Sequence, residues 1–566
     1  MNIKQKMNNM ILKNYWNKRY DFYLPIKAFG CNENVYSRQK QDTFPQKIKF
    51  SILVPLYNTP ETCLKEMIGS VLFQSYENWE LCLADGSDSE HEYVGEICKK
   101  ISAEDTRIKY QKLSNNKGIS ENTNACIDMA TGDYISLFDH DDLLHPFALY
   151  ETMKAICEQS ADFIYTDEAI FQSPDLHVIT TTNFKPDFAP DYFLGINYLC
   201  HFSSFKKSLL MKIGKLDPET DGAQDYDLFL RLTSHAKKIV HIKKCLYYWR
   251  ATPVSTASGI QSKTYAIDSG KVALEKHFRE CNLPVNIVKN NNILYKAEYK
   301  INQNYKVSII ILAEDNKTIW QCINSIKQKT AYNNYEILIA DYKNLTLKNK
   351  YEDIKVIKCK DNKYTASIYN EVVKESSGDY LLFLSDNLVV GNDKWIEELL
   401  MYAQRKDVGV VGAKLCTKNN EISNFGYIIG VRGFVGTLGK GFGKAEYGYG
   451  FRLVTPQNVN AVSSDCFMIS KQKYNDNLGF DINFGKGLFD IDFCLKLRQK
   501  GFLHVCTPYA ELNYINNKTK KVNKTEKKNL KKKWKDVFDY SDCYYNPSLS
   551  TKREDFSITG KIFPAE

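Results

Sequence analysis

No stretch of the 566-residue chain stays apolar over the roughly 18 residues that a membrane-spanning helix needs. The opening residues, MNIKQKMNNMILKNYWNKRYDFYLP, hold no apolar core of the kind an export signal carries. The expectation is a chain that is neither exported nor membrane-spanning. Cysteine occurs 16 times but never as Cys-x-x-Cys, so the usual spacing of a structural zinc site is missing. Without an export signal, reduced and buried thiols are expected. No Asp-x-Asp-Gly-Thr stands near the N-terminus, which argues against an aspartyl phosphatase. No Gly-rich loop bearing Arg and Lys stands there either, which argues against a nucleotidyltransferase. The richest glycine stretch, GKGFGKAEYGYGFR from Gly439 to Arg452, places Gly441 after Lys440 where a P-loop needs Ser or Thr. No nucleic-acid recognition motif accompanies the positive charge.

What is present is the composition of a globular protein, 43% hydrophobic and 25% charged. The length suits two domains of about 250 residues. The net charge of +9 is concentrated in NNKTKKVNKTEKKNLKKKWKD, Asn516 to Asp536. This segment reads either as a solvated lysine-rich helix or as a surface that meets anionic lipid headgroups, where each Lys contributes about 1 kcal/mol.

The chain also repeats itself. FSILVPLYNTPETCLKEMIGSVLFQSYENWELCLAD (Phe50 to Asp85) and VSIIILAEDNKTIWQCINSIKQKTAYNNYEILIAD (Val307 to Asp341) share one pattern. Each reads as a buried strand, a loop, an amphipathic helix and a second buried strand ending in Asp. GDYISLFDHDD (Gly132 to Asp142) returns as GDYLLFLSDN (Gly378 to Asn387), and QDYDLFLRL (Gln224 to Leu232) as FDIDFCLKL (Phe489 to Leu497). Matched landmarks in the same order predict a duplicated α/β domain with a mainly parallel sheet covered by helices. The expected divisions are an N-terminal helical extension (1–46), a first domain (47–295) and a second domain (303–566) that includes the basic C-terminal segment. In such sheets ligands bind beyond the carboxyl ends of the strands. Asp85, Asp139 and Asp341 all fall at predicted strand ends.

The crowding of Asp139, Asp141 and Asp142 calls for positive charge among them, because neighbouring carboxylates repel. Asp139 and Asp141 can aim oxygen ligands at one hard cation such as Mg²⁺ or Mn²⁺, which would in turn neutralise a diphosphate. LADGSDS (Leu83 to Ser89) ends its strand in a turn suited to hydrogen-bonding a base or ribose. NNKGIS (Asn115 to Ser120) places Gly118 and Ser120 in a loop ahead of a helix.

Together with SILVPLYN, YTDEAIF, FKPDFAPDYFLGINYLCHFSSFKKSLL, GAQDYDLFLRL, MYAQRKDVGVVGAKL and YYNPSLSTKREDFSI, these motifs resemble the family 2 glycosyltransferases. Those are inverting enzymes of the GT-A fold that use nucleotide-diphospho-sugars. The resemblance runs from about residue 47 to the C-terminus. It is nearest to tandem-domain members of bacterial surface-polysaccharide synthesis, of capsule, lipopolysaccharide O-chain or rhamnan type. It implies two Rossmann-like GT-A domains in tandem. It also implies that Pro55, Tyr57 and Asn58 wall the base pocket and that Asp85 bonds the base. Gly118 would lie by the nucleotide-sugar, Asp139 would serve the ribose and metal side, Asp141 would ligate Mn²⁺ or Mg²⁺, and Asp225 would be the general base. Asp227 reads as a helix-start residue, His140 as a strand-end filler and His145 as a surface residue. The implied partners are a nucleotide-diphospho-sugar donor and a glycan or lipid-linked glycan acceptor. An anionic membrane surface at the inner face and a second copy of the chain are further candidates; nucleic acid is not.

The pattern also breaks. Relatives often carry a metal-binding His near LYYWR, where Tyr248 stands here, which leaves water or His140 to replace it. In the second half, Ser385 and Asn387 face Asp139 and Asp141, with Asp386 between them. An Asn gives up the negative charge a hard cation needs, and Asp386 rescues the site only if the strand end shifts by one residue. Asp465 is a further carboxylate nearby, and Asp490 matches Asp225. The expectation is one active first domain and an impaired second, with the Gly439–Arg452 loop near the second site and as well suited to a sugar-facing lid as to a turn. Two active domains adding different sugars, or a non-catalytic glycan-binding scaffold, are the alternatives. The Gln-x-x-Arg-Trp motif of processive membrane synthases is absent.

Overall fold

The computed structural model describes residues 29–566, apart from 252–263, 291–292, 346, 348–350, 352–353, 361–363, 517–521, 541, 560–561 and 563–566. Among these residues no helix is long and apolar enough to cross a membrane. The first half is a nine-stranded sheet. Its strands are β1 (Phe50–Leu56), β2 (Trp79–Asp85), β3 (Ile108–Lys112), β4 (Tyr134–Leu137), β5 (Leu143–Leu144), β6 (Phe163–Gln172), β7 (Ile179–Asn183), β8 (Ser203–Lys206) and β9 (Ile239–Ala251). The order is β3-β2-β1-β4-β8-β6-β9-β5, with β7 on β6. The first four strands run parallel, β8 is antiparallel to both its neighbours, and β6 and β9 are again parallel. β2 is buried along its whole length, as a strand covered on both faces must be. The helix Glu61–Leu72 buries Leu64, Met67, Ile68 and Val71, the one-face spacing of an amphipathic helix.

The second half repeats the plan. Val307–Leu312, Tyr335–Asp341, Ile354–Lys358 and Tyr380–Ser385 form its parallel core, and Cys466–Ser470 takes the place of β8. A carboxylate cluster, buried in the first half and half-buried in the second, shows the duplication at the level of atoms. Glu80 accepts the Ser51 hydroxyl (2.7 Å), the Thr131 N–H (2.5 Å) and the Thr131 hydroxyl (2.7 Å), and pairs with Lys49. Glu336 accepts Ser308 (2.6 Å), the Ser377 N–H (2.6 Å) and the Ser377 hydroxyl (2.9 Å), and pairs with Lys306. The glycine of each Gly-Asp-Tyr is packed against this knot. A Cβ on Gly132 would lie 2.6 Å from the Lys49 carbonyl, and one on Gly378 would lie 2.8 Å from that of Lys306. The following Asp133 and Asp379 accept the N–H groups of Lys49 and Lys306.

The N-terminal extension carries its expected helix, Glu33–Gln39; its residues 1–28 lie outside the described residues, and Phe29, Cys31 and Val35 pack into the first half's core. Two elements sit differently from expectation. His145 is fully buried rather than superficial, because its ring packs between Phe29, Phe147 and Tyr248. The lysine-rich helix Lys524–Lys533 is not wholly solvated. Leu530 is buried, Lys533 pairs with Asp492, and Trp534 donates to Asp492 at 2.7 Å.

The Gly439–Arg452 segment is part of the seam between the halves. Tyr449 Oη donates to the Thr182 carbonyl and accepts the Phe184 N–H, and Tyr192 donates to the Gly450 carbonyl. At the centre of that seam the buried Asp191 is held by Asn458 Nδ2 (2.8 Å) and by Arg405.

Candidate functional site

β1, β2 and β4 end at one edge of the first sheet, and their loops converge there. The loop after β1 is stapled to the loop after β2. Asn58, in the left-handed region at φ 48°, exchanges hydrogen bonds with Asp88 through both side-chain atoms, and its N–H donates to the Ser87 hydroxyl. Tyr57 beside it is 46% exposed, an aromatic face open to solvent at this edge. Asp85 is buried at the end of β2 and accepts Tyr110 Oη (2.8 Å), Lys112 Nζ (3.1 Å) and the Ser87 N–H (2.8 Å). The second half copies the Lys contact as Lys358 on Asp341. Gly118 has φ +99°, and a Cβ there would lie 2.4 Å from an Asp221 carboxylate oxygen, so this position admits only glycine. The neighbouring Ser120 N–H donates to Asp221, which joins this loop to the turn that leads into Asp225.

The acidic turn after β4 is organised from β9. Arg250, almost completely buried, donates from its N–H to Asp142 Oδ1 (2.7 Å) and from Nε to the Asp141 carbonyl (2.5 Å). Its guanidinium reaches Glu66 at 2.7 Å. Tyr247 Oη donates to Asp142 Oδ2 at 2.5 Å. Burial and the carboxylates of Asp141 and Asp139 push the Asp142 carboxyl far above its usual range. Burial also raises Asp141, opposed by His140 and Arg250 and reinforced by Asp139. Part of the positive charge that the acidic run demands is therefore Arg250, which the sequence reading did not single out although it closes the LYYWR motif.

His140 turns toward the loop after β1, with Nδ1 2.6 Å from the Thr59 hydroxyl. The imidazole beside Asp139 is His201, its Nε2 3.5 Å from Asp139 Oδ2 and its ring stacked on Tyr247 at 5.0 Å. Tyr248, by contrast, packs inward on Phe29. Successive residues of a strand face opposite sides, so Tyr247 meets the acidic turn and Tyr248 cannot. Next to His201, the Cys200 thiol donates to Asp225 Oδ2 at 2.7 Å. Burial, and then Asp225 itself, push that thiol far above its ordinary pKa, so it keeps its proton. Metal-ligating atoms of Cys200, His201 and Asp225 lie within 4.8 Å of one another.

Asp225 occupies the first turn of the helix Gln224–His235, where a carboxylate is favoured by the helix dipole, and one of its oxygens accepts the Tyr226 N–H. Asp227 points inward onto Arg231 (2.5 Å). A line of side chains thus runs Asp139, His201, Cys200, Asp225, with Asp141 on the same acidic turn as Asp139. His201 and Cys200 stood in the quoted CHFSSF motif, but nothing local in it marks them.

The model of "Glycosyl transferase family 2" matches residues 51–214 and again 307–478. The chain belongs to glycosyl transferase family 2. Its two GT-A-like domains correspond to the two matched regions, and the family's enzymes are inverting transferases that use nucleotide-sugars. The chain is 33% identical over 535 residues to the uncharacterized protein y4gI of Sinorhizobium fredii, covering 90% of this chain and 58% of that one. It is 27% identical over 533 residues to the O-antigen biosynthesis protein RfbC of Myxococcus xanthus, covering 90% and 41%. It therefore spans about half the length of these relatives. Chondroitin synthase of Pasteurella multocida is 24% identical over 60% of this chain and 34% of that one. Among solved structures, S. aureus TarS residues 1–349 with UDP-GlcNAc aligns at TM-score 0.32 and 19% identity over 40% of this chain and 66% of that one.

In this family 2 chain the two edges are not equivalent. Asp386 accepts the N–H groups of Glu314 (2.9 Å) and Asp315 (3.1 Å) and the Thr318 hydroxyl (2.9 Å), all on one oxygen. It stands where His140 stands in the first half and, like it, is tied to the loop after the first strand. Asp465, opposite His201 in the repeat, accepts Tyr514 Oη at 2.6 Å. Asp490 is buried and accepts the Ser464 N–H at 2.8 Å.

Proposed function

We propose that the first half transfers a sugar from a nucleotide-diphospho-sugar to a hydroxyl of a growing or lipid-linked bacterial surface glycan, and that the second half is not a working transferase. The carrying observation is the line from Asp139 through His201 and Cys200 to Asp225, with Asp141 on the same turn, where the second half has Ser385, Asp465, Ser464 and Asp490, and Asn387 in place of Asp141. The kinship with RfbC and chondroitin synthase supports a polysaccharide product.

Asp139 and Asp141, with His201 beside them, form an oxygen-rich set suited to Mn²⁺ or Mg²⁺. Held by these carboxylates, the ion would supply positive charge against the departing diphosphate. Pro55, Tyr57, Asn58 and Asp85 hold the nucleotide base, and Gly118 lets its loop close beside the donor. Asp225 accepts the proton of the acceptor hydroxyl as its oxygen attacks the anomeric carbon from the face opposite the diphosphate. The Cys200 thiol and the Tyr226 N–H fix the orientation of that carboxylate.

The test is calorimetric titration of UDP, dTDP and GDP into the full chain with and without Mn²⁺. One metal-dependent site per chain, lost in Asp141→Ala, is the expected result. Two such sites would make the enzyme bifunctional, and none would leave the glycan-binding scaffold.

The exposed face of the lysine-rich helix carries Lys524, Lys528 and Lys532 at i, i+4 and i+8, a stripe suited to an anionic membrane surface at the site of glycan assembly. Reversing these three charges to Glu is expected to abolish co-sedimentation with phosphatidylglycerol vesicles; undiminished co-sedimentation removes this role.

A further inference from the structure

Two motifs remain outside the transfer chemistry, YTDEAIF in the first half and YYNPSLS at the C-terminus, and the fold brings them together. Asn546 Nδ2, buried, lies 2.9 Å from Asp167 Oδ2, 3.1 Å from its Oδ1 and 2.9 Å from the Lys185 carbonyl. Asp167, fully buried, also accepts the Lys185 N–H (2.8 Å) and His241 Nε2 (2.9 Å). Lys185 in turn extends its ammonium to the carbonyls of Cys200 (3.0 Å) and His201 (2.8 Å), and pairs with Glu168, which accepts the His201 N–H. The peptide gripped in this way is the one that sets Cys200 on Asp225 and His201 on Asp139. A second contact from the same tail, the Asp187 N–H donating to the Cys543 carbonyl (2.8 Å), ties it to the segment that follows Lys185.

We propose that Asn546 of the second half is a positioning residue for the first half's site. It holds Asp167 and Lys185 so that Lys185 holds the Cys200–His201 peptide. The second half then completes the first site rather than duplicating it. This rests on the assignment of the transferase site to the first half. The physical case is that Asp167 and Lys185 are buried ionisable groups whose geometry survives only while their hydrogen bonds are complete. Among the described residues, no group of the first half donates to Asp167 Oδ2 or to the Lys185 carbonyl, and Asn546 bonds both.

The experiment uses the full chain with Asn546→Ala, and with Asn546→Asp, which keeps the shape but sets a carboxylate against Asp167. Glu554→Ala is the control. Glu554 ties the same tail to the Thr437 N–H and to Arg432 within the second half, so it reports general loosening. Amide hydrogen exchange over residues 199–203 is expected to rise about tenfold or more in both Asn546 variants and to stay at the wild-type level in Glu554→Ala. The His201 imidazole Cε1–H resonance, assigned with His201→Gln, is expected to shift in the same two variants only. Wild-type exchange in the Asn546 variants, or equal loosening by all three substitutions, overturns the proposal. Where turnover is measured with a panel of UDP-, dTDP- and GDP-sugars, kcat is expected to fall about tenfold with donor KM unchanged. A wild-type chain without transferase turnover would defeat the transferase reading while leaving the exchange result to decide the coupling.

Discussion

Asn387 and Asn516 close on each other at the edge of the second sheet. Asn387 Nδ2 donates to the Asn516 carbonyl at 2.7 Å, and the Asn516 N–H returns to Asn387 Oδ1 at 3.0 Å. Asn387 matches Asp141, so the position that offers a carboxylate in the first half is spent on a loop in the second. Restoring charge there is not enough. Asn387→Asp is expected to add no second Mn²⁺-dependent nucleotide site, because Ser385 and the inward Asp386 still provide no partner ligand. Calorimetry showing two sites in that variant would refute this.

Asp225 and Asp490 are expected to separate the two halves by kinetics. Asp225→Asn is expected to lower kcat by about 10²–10⁴, the usual worth of a positioned general base, with donor binding kept. Asp490→Asn is expected to leave kcat at the wild-type value. A large loss in the second variant, with the protein still folded by circular dichroism, would assign catalysis to both halves.

The Gly-Asp-Tyr glycines are steric requirements. Gly132→Ala and Gly378→Ala each force a Cβ onto backbone atoms of the neighbouring strand. Each is expected to destabilise the protein by about 1–3 kcal/mol, the ordinary cost of overpacking. Thermal unfolding reads the effect, and an unchanged midpoint would mean that the strands yield without cost.

Two buried histidines set a common acid limit. His145 accepts the Phe147 N–H at Nδ1 and faces the Cys31 thiol through Nε2, while His504 accepts the Val410 N–H at Nδ1 and donates from Nε2 to the Cys494 carbonyl. Burial pushes each down to about 3. The unfolded chain binds a proton at each near the ordinary value of about 6.5, so the unfolded state holds more protons between the two values. Stability is therefore expected to be fully present above about pH 6.5 and to fall as pH drops toward 3. Denaturant titrations at several pH values check this, and His504→Gln should flatten the slope. An unchanged slope would show that the ring is protonated in the fold.

Much of the architecture was legible in the chain. Near-continuous apolar strands, the one-face spacing of the helices and the repeated Gly-Asp-Tyr each follow from neighbours within a few residues, and they gave the duplicated α/β plan. The acidic run and the helix-start Asp225 were legible for the same reason. His145 was misread because a lone polar residue beside a charged turn carries no local mark of the Phe29 and Tyr248 rings that bury it.

The sequence by itself determined the elements, their order and which carboxylates stand at strand ends, since side-chain period and hydrophobicity are local properties. Only the tertiary structure decided that Arg250 sits beneath the acidic turn, that His201 rather than Tyr248 faces Asp139, that Asn516 occupies the second edge and that Asn546 reaches Asp167. Each of those contacts joins residues far apart in the chain, so their energies exist only once the sheet has brought their strand ends together.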